Sequence, residues 1–260
     1  MSDYVIGDIH AHPEALERMC KAISLKPSDR LYLLGDLVRK GPDSWGVLDY
    51  IRTQLPAQTR IVFGNHDLHF LAKLSKQGYA KLSATQKACL DIYKEANFAL
   101  YASHHNALFI HAGAWPTWTL QETLAIAEQT KKIVQHAIQQ ETIHDTLYGN
   151  ENQWNPNLPL WPRTRCAINI FTRMRTLHKQ DRTLDFAYTG DLQTMPGDLI
   201  PWFDCIPITN TYRMYFGHWA MLKGITYHPM CQNMDMGYTY GHALMGMRLD
   251  DGKPFTLHAT

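Results

Sequence analysis

Cysteine is sparse in this chain. Five occur in 260 residues (Cys20, Cys89, Cys166, Cys205, Cys231), an odd number, scattered, with no C-x-x-C pair. That argues against a disulfide framework and against a thiolate zinc site, and points to a reducing compartment. An excess of charge is also missing: 25 Lys and Arg against 24 Asp and Glu leave a formal net charge of +1. No global field draws such a chain onto DNA or an anionic membrane, although a local basic site for a nucleotide stays open. No window of about 18 apolar residues reads as a membrane span, and no basic segment leading into an apolar run reads as a secretory leader. The expected location is therefore the cytoplasm. Repeats of about 20–50 residues and low-complexity tracts are absent.

What is present is a hydrophobic content of 45%, enough for a substantial core, and 14 histidines. No linker stands out, so residues 1–260 are expected to form one domain. The most informative stretch is Arg60 to Asp67, where Ile61, Val62 and Phe63 run into Gly64-Asn65-His66-Asp67. The same pattern, an apolar run followed by glycine and a polar ligand, recurs along the chain.

Asp3 to Ile9 begins as a β run, and His12-Pro13 opens a helix whose Leu16, Met19, Cys20 and Ile23 share one face. Arg30 to Leu34 is a second apolar run, ending in Gly35-Asp36. Asp43 or Ser44 can cap a helix reaching about Gln54, before the third run, Arg60 to Phe63. Continuous rather than alternating apolarity predicts strands buried on both faces. Asp8 to Asp36 is 28 positions and Asp36 to Asn65 is 29, the length of a βαβ unit. Each unit then delivers one polar side chain to the same edge of a sheet, where open α/β sheets bind ligands.

Further on, Asp67 to Leu100 reads as helical with a break at Gly78, and Ala107 to Ile110 as a strand closing on His111. Leu120 to Ile143 reads as helix and Asn150 to Arg165 as a Trp- and Pro-rich loop. Ile168 to Arg175 is an apolar segment with two arginines at one end, either strand or helix. Gln180 to Ile200 is loop apart from a strand at Leu184 to Tyr188. Arg213 to Phe216 is a strand ending in Gly217-His218. Short strands near Gly224 to Tyr227, Gln232 to Asp235, His242 to Leu249 and Phe255 to His258 suggest an antiparallel meander.

Five β runs thus end in a candidate ligand: Asp8 with His10, Asp36, Asn65, His111 and His218. A mixed oxygen and imidazole set suits Mn²⁺, Fe²⁺, Co²⁺ or Zn²⁺ better than Ca²⁺. Six side chains suffice for two divalent ions about 3.5–4 Å apart, with Asp36 as the natural bridging carboxylate. Two such ions lower the pKa of bound water and polarise a phosphoryl oxygen, so hydrolysis needs no covalent intermediate. A single Gly-Asp or a lone strand-end histidine would be ordinary turn chemistry; five at the same topological place are not.

Gly7-Asp8-Ile9-His10, Gly35-Asp36 with Gly41, Gly64-Asn65-His66-Asp67, and the isolated His111 and His218 resemble the calcineurin-like metallophosphatase signature. Gly35-Asp36-Leu37-Val38, Gly64-Asn65-His66-Asp67-Leu68-His69, His111-Ala112-Gly113, Phe171-Thr172-Arg173-Met174-Arg175 and Phe216-Gly217-His218-Trp219-Ala220 are similar to the symmetrical bis(5′-nucleosyl)-tetraphosphatases. The Phe-Thr-Arg-Met-Arg run is lacking in general phosphoprotein phosphatases. The resemblance spans nearly the whole chain. It implies an α/β metallophosphatase β-sandwich of two mixed sheets flanked by helices, with helical insertions near residues 68–100 and 118–165. It also implies cleavage of diadenosine tetraphosphate to two ADP, with related action on other dinucleoside polyphosphates and nucleotide-capped RNA. The expected cofactor is a pair of divalent transition-metal ions, manganese first.

By the same resemblance His66 is the general acid for the leaving oxygen, and Arg173 and Arg175 are candidate phosphate clamps, which share a face on a strand but not on a helix, where only one would point into the site. Where the family carries arginine before Gly41, this chain has Lys40, with Arg39 one position earlier; both are kept as phosphate-binding candidates. Protein phosphatases carry at the Arg39 position an Asp that orients the catalytic His, and Asp67 and Asp43 are its candidate substitutes. Ala11 stands where the family favours glycine, and is strained if that backbone requires φ > 0. Trp154, Trp161, Trp202, Trp219, Tyr238 and Tyr240 are candidate base-stacking residues. Two rival readings are a phosphoprotein Ser/Thr phosphatase with the same metal chemistry and a non-catalytic nucleotide-binding protein.

Overall fold

In chain order the computed structural model, which describes residues 1–147 and 149–259, begins with β1 (Asp3–Ile6), α1 (Pro13–Ala22), β2 (Arg30–Leu33), α2 (Ser44–Gln54), β3 (Thr59–Ile61) and α3 (Asn65–Gln77). There follow α4 (Ala84–Leu90), β4 (Ala99–Ala102), β5 (Ala107–Ile110), α5 (Leu120–Gln139), α6 (Ile143–Thr146) and α7 (Leu160–Arg173). Short strands β6 (Thr176–His178), β7 (Leu184–Asp185) and β8 (Leu199–Pro201) come next, then β9 (Arg213–Phe216), β10 (Cys231–Asn233), β11 (Ala243–Arg248) and β12 (Lys253–His258).

Two mixed sheets carry the fold. One has the order β12-β11-β1-β2-β3, with β1, β2 and β3 parallel and the β11–β12 hairpin antiparallel at the edge. The other has the order β10-β9-β5-β4, parallel except for β4. Side chains alternate with the two-residue period of a strand. Val5, Tyr32, Phe109 and Tyr215 meet between the sheets, while Ile6, Leu33, Leu108 and Phe216 face the helix-covered outer layers. The Tyr32 and Phe109 rings stack across the sandwich at 4.0 Å between centroids. Burial on both faces is why these strands read as unbroken apolar runs.

The first 77 residues follow the sequence reading closely. Pro13 starts α1, and the Asp43 carboxylate caps α2 by accepting the Gly46 N–H at 2.8 Å. Later elements differ. The segment expected to be helical up to Leu100 is broken at Gly78, and ends in β4, which pairs antiparallel with β5. Residues 160–165, expected as loop, form the first turns of α7. Pro162 sits where a helix has no partner for the missing N–H, so it does not break the helix. Ile168 to Arg175 is therefore helix up to Arg173. A small third sheet, β7-β6-β8, follows it; β7 falls within the strand expected at Leu184 to Tyr188 but stops at Asp185, while β6 and β8 are beyond what the sequence pattern predicts. The expected meander is wrong in two places: residues 224–227 form no strand, and β10 pairs parallel with β9 in the second sheet. Only β11 and β12 make the hairpin.

No helix among the described residues is long and apolar enough to cross a membrane. All five cysteines are unpaired.

Candidate metal centre

All six predicted donors lie just beyond the carboxyl ends of parallel strands. Asp8 and His10 follow β1, Asp36 follows β2, Asn65 opens α3 after β3, His111 follows β5 and His218 follows β9. The two sheets bring these ends to one rim. Asp36 is shared by two clusters whose donor atoms lie within 4.8 Å of one another, one with His10 and His66, the other with His111 and His218.

The spacing fits metal coordination. His10 Nε2 lies 3.9 Å from Asp8 Oδ2 and 3.7 Å from Asp36 Oδ2. His111 Nε2 lies 3.5 Å from Asp36 Oδ1 and 3.3 Å from Asn65 Oδ1. Ligands held by bonds of about 2.0–2.2 Å are separated by roughly 3–4 Å from each other. The outer nitrogens of two imidazoles are already engaged: His111 Nδ1 donates to the Leu34 carbonyl at 2.6 Å, and His218 Nε2 to the Arg173 carbonyl at 3.1 Å. That leaves His111 Nε2 and His218 Nδ1 with their lone pairs free, the way ligating histidines are usually oriented. The Nδ1 atoms of His10 and His66 are buried without a hydrogen-bond partner. These residues fit a dinuclear site.

The backbone is shaped for close approach. A Cβ on Gly217 would come within 1.9 Å of Asp8 Oδ1, and one on Gly64 within 2.2 Å of the Asp36 nitrogen. His10, Asp36 and His218 all take positive φ (48°, 47° and 65°), a conformation that non-glycine residues hold only where the surroundings impose it. Ala11, at φ 60°, shares the strain. Its N–H is tied to the Leu37 carbonyl and its carbonyl to the Asp43 N–H, which hold it there.

Burial and neighbouring carboxylates set the charges of the cluster. Desolvation pushes Asp8 and Asp36 well above the carboxylate range, with Asp235 and Asp36 adding repulsion at Asp8, and Asp67 and Asp235 at Asp36. Desolvation likewise takes His10 and His218 well below the imidazole range and His111 down to about 3. His66 is lowered to about 3, first by burial and then by Lys40 and Arg39. A cationic centre would draw these carboxylates back to their ionised form, and it would meet imidazoles that already keep their lone pairs.

His66 is placed by its own backbone. Its N–H donates to Asp36 Oδ1 at 2.7 Å, and its ring meets His10 edge-on at 5.0 Å between centroids. Asp67 acts one step further out. Its carboxylate accepts the Leu37 N–H (3.0 Å), the Gly64 N–H (2.9 Å) and the Tyr93 hydroxyl (2.9 Å), stapling two ligand loops to the start of α3. Asp43 caps α2 and has no part in the rim. Asp67→Ala leaves three buried donors unsatisfied, each worth about 1–3 kcal/mol. We expect thermal unfolding to fall by roughly 10 °C or more, measured by differential scanning calorimetry, with metal affinity falling too.

A cavity of about 510 Å³ opens over this rim, with His10, Asp36, Asn65, His66 and His218 at its lining. Of the four cations expected to bind phosphate, it receives two. Lys40 lines it and bonds the Tyr240 hydroxyl. Arg175 lines it too, donating to the His218 carbonyl at 3.1 Å. Arg173 does not: as the last residue of α7 it turns to Asn169 Oδ1 (3.0 Å) and over the Phe186 ring. Arg39 also lies outside the lining, on the side of His69. Trp219 and Tyr240 line the cavity, while Trp154 packs on Trp118, Trp202 is in the core, Tyr238 sits against His12 and Trp161 faces solvent. Asp235 is a buried wall residue of the cavity, and its only sequence signal is the short run Asp235-Met236-Gly237. Burial raises its pKa to about 6, and Arg175 opposes the shift.

The model of the calcineurin-like phosphoesterase family matches residues 4–160. A symmetrical bis(5′-nucleosyl)-tetraphosphatase of Stutzerimonas stutzeri is 33% identical, over 97% of this chain and 96% of its own length. Relatives of the same name from Legionella pneumophila (33%, covering 99% and 97%) and Actinobacillus pleuropneumoniae (32%, covering 98% and 98%) match equally fully. A crystal structure assigned as a diadenosine tetraphosphatase shares the fold, with a TM-score of 0.66 at 21% identity over 99% of this chain and 93% of that one. With its strand-end donors and full-length likeness, the chain belongs to the symmetrical bis(5′-nucleosyl)-tetraphosphatase family of calcineurin-like phosphoesterases.

Proposed function

We propose that the chain hydrolyses diadenosine 5′,5‴-P1,P4-tetraphosphate at its central anhydride, giving two ADP. The observation that carries this is the sharing of Asp36 by two donor clusters beneath a cavity walled by Lys40 and Arg175. Asp8, His10, Asp36, Asn65, His111 and His218 would hold two divalent transition-metal ions, with manganese the proposed pair. Such ions supply Lewis acidity to the phosphoryl group and lower the pKa of water to near neutral. Arg175 offers a planar fork to a phosphate, and Lys40 a point charge. His66 lines the cavity, placed to protonate the departing ADP oxygen; burial first and then Lys40 and Arg39 hold its pKa down, and a bound polyphosphate would offset the part that comes from those charges. Arg39 and Arg173 stay outside the lining, Arg173 holding the His218 ring through its carbonyl.

Other dinucleoside polyphosphates and nucleotide-capped RNA 5′ ends present the same anhydride and belong to the proposed range. The whole chain is read as one domain in the service of this site, in the cytoplasm, where its five unpaired cysteines would remain reduced.

Removal of metal tests the reading. Chelated protein should lose hydrolysis and regain it with Mn²⁺ or Co²⁺; no restoration by any divalent ion would sink it. The same ions should raise the unfolding temperature, and the increment should grow from pH 5 to pH 8. The sign follows from the ligands Asp8 and Asp36, whose raised pKa values keep protons in the metal's place at low pH. The histidines, already neutral in the folded protein, compete little. A metal-induced shift that is flat or falls with pH would contradict the assigned ligands.

A further inference from the structure

We propose that a groove beside the catalytic cavity, formed by Leu192, Gln193, Met221, Lys223, Ile225 and Tyr227, seats the second nucleoside of the dinucleoside substrate; this rests on the function proposed above. A substrate cut at its centre has an equal nucleoside half on each side of the cut. The catalytic cavity holds one exposed aromatic, Tyr240, beside Lys40. The adjoining groove, of about 300 Å³, holds another, Tyr227. The two compartments adjoin: Met221 lines both, and the segment from Thr189 and Gly190 at the cavity runs on to Leu192 and Gln193 at the groove.

Single exposed apolar side chains need no explanation. Here three share one groove, with Met221 43%, Ile225 51% and Tyr227 85% exposed. Tyr227 also stands at φ 57°, where a bulky residue rarely sits. Its flanks are fixed. Gly224 N–H donates to Asn233 Oδ1 (3.2 Å), Ile225 N–H to the Leu222 carbonyl (2.9 Å) and Thr226 Oγ1 to the Cys231 carbonyl (2.5 Å). On the far side, His228 Nε2 bonds the Ile206 carbonyl at 3.0 Å. A ring carried on a fixed turn spares the backbone cost when a base stacks on it, leaving only its own side-chain freedom to lose. Lys223 and Gln193 at the rim bring donors for a phosphate or a base edge.

The test compares diadenosine tetraphosphate with adenosine 5′-tetraphosphate, which lacks the second nucleoside. Tyr227→Ala and Ile225→Ser should raise KM for the dinucleoside about tenfold or more, the loss of one stacked base, and at least several-fold more than for the mononucleotide. Tyr227→Phe, which keeps the ring, should restore the wild-type KM ratio. An unchanged ratio in both variants, or equal loss with both substrates, overturns the groove. Absence of symmetrical products from the wild-type chain would instead overturn the function proposed above, and the groove with it.

Discussion

Asp36→Asn should reduce hydrolysis to background and lower bound divalent metal from two ions per chain to one or none. Asp36 is 2% exposed, and its two oxygens face different partners. Oδ1 lies 3.5 Å from His111 Nε2 and accepts the His66 N–H, while Oδ2 lies 3.7 Å from His10 Nε2. Asparagine keeps the shape and one oxygen acceptor, so the loop at φ 47° can persist. What it removes is the negative charge that would lie between the two proposed cations and offset their mutual repulsion in a buried site. Elemental analysis of the dialysed variant, beside its turnover, is the check. A variant that keeps both ions and more than a tenth of the activity would refute the bridging role.

His66→Asn should behave differently, keeping metal and losing turnover by about 10²–10⁴-fold. The two effects separate because His66 reaches the centre through its backbone N–H, while its ring stands at the cavity lining with Nδ1 unpartnered. Asparagine preserves the N–H and the start of α3. It cannot deliver a proton to a leaving oxygen. His66 does fall within the donor cluster of His10 and Asp36, so ligation is the competing outcome. If the variant loses an ion along with its turnover, His66 is a ligand. If metal content holds and the loss is largest for the poorest leaving groups, it is the acid.

How much of this is legible in the sequence depends on the physics behind each signal. The six donors are, because each closes an apolar run, Asp8 together with His10: glycine precedes Asp8, Asp36, Asn65 and His218, and His111 follows Ile110 directly. Close approach explains those glycines: no Cβ fits beside Asp8 or Asp36. The positive φ on which strain at Ala11 depends is present, at 60°. The orienter of His66 is expected among side chains, but it is the backbone N–H donating to Asp36 that places this residue. Asp67, a candidate for that task, instead staples the loops on either side of it.

The cations are harder to place, since a side chain's reach depends on where its element ends. Arg173 and Arg175 would share a face on a strand. The helix runs to Arg173 and stops, so the two diverge. The helix itself is hidden by Pro159 and Pro162, which read as loop until their position in the first turn is known. Strands of two or three residues, such as β7 and β10, carry too little pattern to name a partner. Hence the tail reads as a meander although β10 belongs to the other sheet. Asp235 is invisible as a site residue because only the parallel pairing of β10 with β9 brings it to the rim.

The central claim, that the two-cluster rim cuts the tetraphosphate in its middle, is tested most directly by chromatography of the products. Purified protein is given diadenosine tetraphosphate and Mn²⁺, and the nucleotides are separated at early times. ADP as the sole nucleotide product is the predicted result; equimolar ATP and AMP would contradict it.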